Sequence, residues 1–87
     1  MRESAIQKKV QEYLQGQGWL VVKIIQTNCN GWPDLQAHRA GVTIFIECKA
    51  PGKQPAPLQA YRHQQLIKQG FSVYVIDNLS DVKRISS

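Results

Sequence analysis

The sequence has no long apolar run. Spanning a bilayer takes ~20 consecutive apolar residues, and no stretch of this 87-residue chain approaches that length. The first four residues (MRES) also lack the apolar segment of a secretory signal peptide. We therefore expect a cytoplasmic protein with no membrane partner.

Cysteine and histidine are scarce, with two of each. Neither Cys29 nor Cys48 has a second cysteine or a histidine at zinc-ligand spacing, which argues against a zinc site. A disulfide between the two cysteines stays open, but a reducing compartment favours two free thiols.

Acidic residues are outnumbered, because six Asp and Glu face eleven Lys and Arg for a net charge of +5. This excess fits a polyanionic partner such as nucleic acid, although many small basic domains bind nothing anionic. The hydrophobic fraction of 43% is ordinary for a globular chain. We expect one domain, residues 1–87, close to the lower size limit for a self-supporting core.

Hydrophobic patterning predicts two helices and four strands in the order αβββαβ. The predicted elements are a helix Glu3–Gln15, strands Trp19–Ile25, Asp34–His38 and Val42–Lys49, a helix Leu58–Gln69 and a strand Phe71–Ile76. The last strand–helix–strand unit implies a parallel pair, and the earlier strands an antiparallel meander. The fold class is therefore α/β, a mixed sheet flanked by helices. The buried face of the second helix and the structure of residues 77–87 stay open.

Asp34 and the triplet Glu47-Cys48-Lys49 stand where folding alone does not favour charged residues. Aspartate is a poor strand former, and Glu47 continues directly from an apolar, β-branched run. Glu47 and Lys49 lie two residues apart, so their side chains share one face of the strand. Two simpler interpretations stay open: a turn aspartate that caps local amides, and a same-face ion pair on an edge strand.

These residue types suit phosphodiester hydrolysis. The reaction needs a hydroxide, an electrophile at the phosphate and charge relief for the leaving group, which a divalent ion on oxygen ligands can supply. Asp34, Glu47 and the backbone carbonyl of Cys48 are the candidate ligands. Lys49 is the candidate catalytic lysine, which would orient the attacking water and offset developing charge. Oxygen ligands without a histidine cluster favour Mg²⁺, with Mn²⁺ as a substitute.

With these residues placed, the chain resembles the PD-(D/E)XK nuclease superfamily, and more closely its stand-alone phage and bacterial VRR-NUC domains. Pro33-Asp34 corresponds to the "PD" and Glu47-Cys48-Lys49 to the "(D/E)XK". The matching segments are residues 3–7 (ESAIQ), 31–34 (GWPD), 46–49 (IECK) and 57–59 (PLQ). The resemblance covers nearly the whole chain.

The resemblance implies a restriction-endonuclease-like αβββαβ core. It also implies that Glu3 is a helix-borne metal ligand and that Gln59 supports the catalytic site. The residues alone leave Glu3 open between this role and a solvated position in the first helical turn. Trp32 and Cys48 depart from the family pattern, which usually has a small aliphatic and a β-branched residue there. Trp32 could stack on an unpaired base or pack under its loop.

The expected function is a Mg²⁺-dependent DNA endonuclease, without an organic cofactor, in a bacterial or phage-infected cell. Because so small a domain has little surface for base readout, we expect selectivity for branched DNA, as in Holliday-junction resolvases. Similar small family members suggest a homodimer. The alternatives are a flap or nonspecific duplex nickase and a non-catalytic nucleic-acid-binding module. The candidate DNA contacts are Lys8, Lys9, Lys23, Arg39, Lys53, Arg62 and Lys68.

Overall fold

The computed structural model of the protein describes residues 1–85 and has the predicted order of elements. They are α1 (Glu3–Gly16), β1 (Leu20–Lys23), β2 (Leu35–Arg39), β3 (Val42–Cys48), α2 (Pro57–Lys68), β4 (Ser72–Ile76) and a 3₁₀ helix (Leu79–Arg84). The strand β1 ends two residues earlier than predicted. Asp34 lies just before β2, and Lys49 just after β3. Both residues are therefore at strand ends rather than within strands.

The four strands form one sheet in the order β1-β2-β3-β4. The pairs β1–β2 and β2–β3 are antiparallel and the pair β3–β4 is parallel, which confirms the predicted mixed sheet. Leu35 of β2 lies opposite Ile46 of β3. Asp34 and Glu47, the next residues outward on each strand, therefore meet at the same end of the sheet.

One face of the sheet carries the apolar core. The stripe Ile6, Val10 and Leu14 of α1 is fully buried, as its helical spacing predicts. It packs on the alternate strand residues that point to this side, which are Leu35, Ala37, Ile44, Ile46, Cys48 and Ile76. Val82 and Ile85 join this cluster from the C-terminal side. Residues 79–84, whose structure the sequence left open, therefore form a 3₁₀ helix. Residues 86–87 of the same predicted segment lie outside the described part of the chain.

The helix α2 covers part of the opposite face and buries little apolar surface. Its buried residues are His63 and Leu66, whereas Leu58, Tyr61 and Ile67 are about half exposed. Apolar side chains therefore do not mark the inward face of this helix. That face is partly polar, and it points toward the end of β3 that carries Glu47.

Both cysteines are free thiols in this structure. Cys29 is half-buried in the loop before β2, and Cys48 is fully buried in the core. Among residues 1–85, neither helix is long and apolar enough to cross a membrane.

The loop between β1 and β2 is held against the start of α2. Gly31 has a positive φ of 82°, and a Cβ built there would lie 2.8 Å from the carbonyl oxygen of Leu58. The guanidinium of Arg62 donates from Nε to the carbonyl of Asn30 at 2.7 Å. These two contacts fix the position of the chain that leads into Asp34.

We predict that Gly31→Ala lowers the free energy of unfolding more than Gly41→Ala does. Gly41 has a similar φ of 79° but open space around it, so its substitution carries only the left-handed backbone cost of about 1–2 kcal/mol. Gly31→Ala adds a clash with backbone that cannot rotate away. Urea denaturation of both variants measures the difference, and equal losses would show that the loop does not press on α2.

Candidate active site

Two carboxylates lie side by side at one end of the sheet. Glu47 is 1% exposed although it is charged in its usual state, and Asp34 is half-buried beside it. The Asp34 carboxylate accepts the backbone N–H of Cys48 at 2.8 Å. Asp34 therefore binds an amide on the neighbouring strand rather than an amide of its own turn.

Polar groups of α2 and β3 surround the Glu47 carboxylate. Its Oε1 lies 3.1 Å from Nε2 of His63. Its Oε2 accepts from Nε2 of Gln59 at 3.3 Å and lies 4.0 Å from Nζ of Lys49. Glu47 and Lys49 are thus near each other, as predicted, but Gln59 stands between them as the closer partner of both.

The Gln59 side chain connects three parts of the structure. Its Oε1 accepts the Lys49 ammonium at 2.6 Å and the backbone N–H of Ala56 at 2.8 Å. The second contact satisfies a donor at the start of α2, as in half of a capping box. Its Nε2 donates to Glu47. The residue that only resemblance singled out therefore both caps α2 and positions the lysine.

Burial raises the pKa of Glu47 to about 8. The negative charge of Asp34 and a hydrogen bond with its carboxylate act in the same direction, and Lys49 opposes them. Without a cation at the site, Glu47 therefore keeps its proton near neutral pH. Burial also raises the pKa of the Cys48 thiol to about 12, so that position offers its backbone rather than a thiolate.

The two carboxylates fit a hard divalent cation. Two neighbouring carboxylates, one of them buried, favour positive charge between them, and Mg²⁺ typically uses one or two protein carboxylates together with waters and substrate phosphates. Glu3 is exposed in the first turn of α1, near enough for its charge to raise the Glu47 pKa further. Within residues 1–85, however, no three Asp, Glu, His or Cys side chains form a group that could hold an ion. The role of Glu3 as a third ligand therefore stays a prediction.

The predicted DNA-contacting residues do not lie together. Lys23 ends β1 opposite Leu35, at the same end of the sheet as the carboxylates. Lys53 lies in the loop after β3, whose Gly52 N–H donates to Asp77 at 3.1 Å. Lys8 and Lys9 are exposed on α1. Arg39 ends β2 at the opposite end of the sheet, where its guanidinium lies 4.4 Å from the centre of the Trp19 ring.

Two further candidates lie on α2. Arg62 holds the loop through Asn30 and also donates to Gln65 at 2.8 Å. Lys68 is the last residue of α2. The next strand, β4, begins at Ser72 opposite Ile44, near the start of β3 and away from Glu47. Arg39 and Lys68 are therefore distant from the carboxylates along the strands. Lys23 and Lys53 lie at the same end of the sheet as the carboxylates.

His63 is the site residue that the sequence analysis did not identify. It is 6% exposed, and burial, followed by the charge of Lys49, lowers its pKa, which keeps the imidazole neutral. A neutral ring can donate one N–H to Glu47 without adding charge. The available signal was its position four residues after Gln59, on the same face of α2.

Trp32 packs beneath its own loop. Its ring meets Phe45 edge-on, with centroids 5.6 Å apart, and Phe45 meets Phe71 in the same way at 5.4 Å. The indole remains only half-buried. The packing alternative is thus observed, and part of the ring still faces solvent.

Comparisons with known proteins point to a nuclease family. The chain is 37% identical over 79 residues to "Putative nuclease p44" of Acyrthosiphon pisum secondary endosymbiont phage 1, a match that spans 90% of this chain and 85% of that protein. A solved structure described as a VRR_NUC domain superposes with a TM-score of 0.85 and 30% identity, covering 95% of this chain and 91% of its own. No protein-family model matches the chain.

The raised pKa of Glu47 predicts a specific pH dependence of stability. Between pH 4.5 and about 8 the folded state keeps a proton that the unfolded chain has lost. In EDTA the free energy of unfolding therefore decreases as pH rises through this window. We expect Glu47→Gln, which stays neutral, to lack this decrease and to melt at least about 4 °C above the parent protein at the alkaline end, the shift expected for about 1 kcal/mol.

Glu12→Gln is the matched control, because Glu12 is an exposed glutamate on α1. It should keep the parent pH dependence. Mg²⁺ should stabilise the parent protein most at the alkaline end, where the cation need not displace a proton. An identical pH dependence in Glu47→Gln and the parent would contradict the buried-carboxylate description.

Proposed function

The chain belongs to the VRR-NUC nuclease family, and we propose that it is a Mg²⁺-dependent endodeoxyribonuclease selective for branched DNA. The observation that carries the proposal is the pair Asp34 and Glu47, two carboxylates at one end of the sheet, with Glu47 1% exposed and Lys49 held beside it. The raised pKa of Glu47 is consistent with a place where a cation would be favoured. The expected site residues Asp34, Glu47, Lys49 and Gln59 all lie within this arrangement.

The carboxylates of Asp34 and Glu47 and the carbonyl of Cys48 would hold the metal. When bound, Mg²⁺ or Mn²⁺ supplies a water of lowered pKa and polarises the scissile phosphate. Asp34 is kept in place by the Cys48 amide, and Glu47 by His63 and Gln59. Since these contacts restrict both side chains before the metal arrives, little ordering remains to oppose its binding.

Lys49 acts beside these ligands. Its side chain is 13% exposed, and its ammonium donates to the side-chain oxygen Oε1 of Gln59 at 2.6 Å. A cation in that position orients the attacking water and offsets the negative charge that develops on the phosphate. Gln59 acts as a positioning residue, because it holds Lys49 and Glu47 through the same side chain.

The substrate class follows from size and charge. The net charge of +5 favours a phosphate backbone, and Lys23 and Lys53 lie at the same end of the sheet as the carboxylates. Among the described residues, both helices pack on the sheet, and neither is set apart as a recognition helix for base readout. We therefore propose selectivity for DNA shape, with a four-way junction as the first candidate and a homodimer placing two sites on it.

We predict that Asp34→Asn, Glu47→Gln and Lys49→Met each reduce the rate of DNA cleavage in Mg²⁺ by at least about 100-fold. Asparagine and glutamine keep hydrogen-bonding oxygens, and methionine keeps an unbranched stem, so the fold should be retained. Single-turnover cleavage of a labelled substrate measures the rates, and circular dichroism checks folding.

The controls are Glu12→Gln and Lys83→Met, which change exposed residues away from the site. Both should cleave at the parent rate. A folded Asp34→Asn or Glu47→Gln variant that cleaves normally would refute the metal site. Loss of divalent-dependent thermal stabilisation in Asp34→Asn would support it independently of activity.

Shape selectivity predicts different rates on three substrates of one sequence: a mobile four-way junction, a flap and a plain duplex. We expect the junction to be cut faster than the duplex, because the preference comes from geometry rather than from bases. Equal rates on all three would identify a nonspecific nickase. Preference for the flap over the junction would identify the flap alternative, and metal-independent binding without cleavage would identify the binding module.

A further inference from the structure

Two adjoining hollows lie beside the candidate active site and share Trp32 as a wall. The first, of about 350 Å³, is lined by the loop before β2 and opens onto Asp34. The second, of about 540 Å³, lies along α2 between Trp32 and Tyr61 and reaches Lys68. We call the two hollows together the trough. The second hollow follows α2 from Tyr61 to Lys68, about 12 Å for eight helical residues, and leads away from Asp34.

We propose that the trough binds unpaired nucleotides of a branched DNA substrate, next to the phosphodiester that is cut. This inference rests on the proposed nuclease function. It adds where the substrate lies and which part of a branched substrate the enzyme recognises, namely bases that have left the duplex stack.

The chemistry of the lining fits unpaired bases. Trp32 and the half-exposed Tyr61 offer aromatic rings, on which any base can stack once its own face is free. In a duplex both faces of each base are already stacked, so these rings favour unpaired nucleotides. Gln64 in the second hollow and Gln26 in the first carry amides that can bond base edges.

The charge of the lining fits a DNA strand. Asp34 is the only acidic residue among the described residues that line the two hollows. Lys68 stands at the far end of the trough, exposed, with an ammonium able to meet a phosphate. This placement gives a role to a lysine that is too far from the carboxylates to contact the scissile group.

The walls of the trough are fixed. Arg62 bonds the carbonyl of Asn30, and Gly31 contacts the backbone of Leu58, so the loop cannot move away from α2 without breaking both contacts. Phe45 supports Trp32 from below. A preformed trough needs little ordering on binding, which preserves affinity for a flexible single strand.

The test compares binding of labelled oligothymidylate and of a blunt duplex of equal length, both in EDTA so that neither is cut. We expect Tyr61→Leu to weaken oligothymidylate binding at least about fivefold and to leave duplex binding unchanged. Tyr61 is 56% exposed, so its substitution spares the core. Leu20→Ala, at an apolar side chain on β1 that is 67% exposed, is the matched control and should bind both ligands normally.

Lys68→Ala tests the phosphate contact. It should reduce the slope of log Kd against log salt for the single strand by about 0.7, the value expected when one phosphate contact is lost. Lys83→Ala, an exposed lysine outside the trough, should leave the slope unchanged. Trp32→Phe keeps an aromatic ring against Phe45 and should lie between the parent and Tyr61→Leu in affinity.

Two outcomes would overturn the inference: normal oligothymidylate binding by both Tyr61→Leu and Lys68→Ala, or equal losses for single strand and duplex. Neither outcome touches the proposed nuclease function, which depends on cleavage by the parent protein and its loss in Asp34→Asn. Conversely, an inactive parent protein that still binds oligothymidylate through Tyr61 and Lys68 would support the trough and refute the nuclease proposal.

Discussion

The burial of the Glu47 carboxylate is the constraint on which the site depends. A carboxylate removed from water is costly unless hydrogen-bonded and charge-balanced, and Glu47 is 1% exposed. His63 and Gln59 provide the hydrogen bonds, and Lys49 provides partial charge balance. The remaining imbalance is visible in the raised pKa of Glu47, which a divalent cation would lower.

The two faces of the sheet therefore differ: one carries the apolar core, and the other carries the polar site. On one face, α1 and the strands bury Ile6, Val10, Leu14 and their partners, and this apolar cluster provides most of the hydrophobic stabilisation. The face covered by α2 can therefore bury fewer apolar side chains without loss of the fold. There α2 turns Gln59 and His63 inward and leaves Leu58, Tyr61 and Ile67 half exposed. The polar site is thus tolerated because the fold does not rely on that face for its core.

The sequence was sufficient to predict the fold and that Asp34, Glu47 and Lys49 lie close together. Apolar periodicity gave the element order, and the two-residue turn at 40–41 sets the β2–β3 register that brings Asp34 beside Glu47. The inward face of α2 could not be predicted, because periodicity arguments assume that the buried side chains are apolar. His63 was missed for the same reason. Gln59 resembled a surface glutamine, and only its similarity to a family motif identified it.

Gln59 also links the folding of α2 to the assembly of the site. Its Oε1 accepts the Ala56 N–H at the start of the helix and the Lys49 ammonium, while its amide nitrogen reaches Glu47. The first turn of α2 and the Lys49–Glu47 spacing therefore depend on one side chain. Because a frayed first turn would release Gln59, it would also leave Lys49 and Glu47 without their shared partner. A change that destabilises the first turn of α2 should therefore also disturb the geometry of the site.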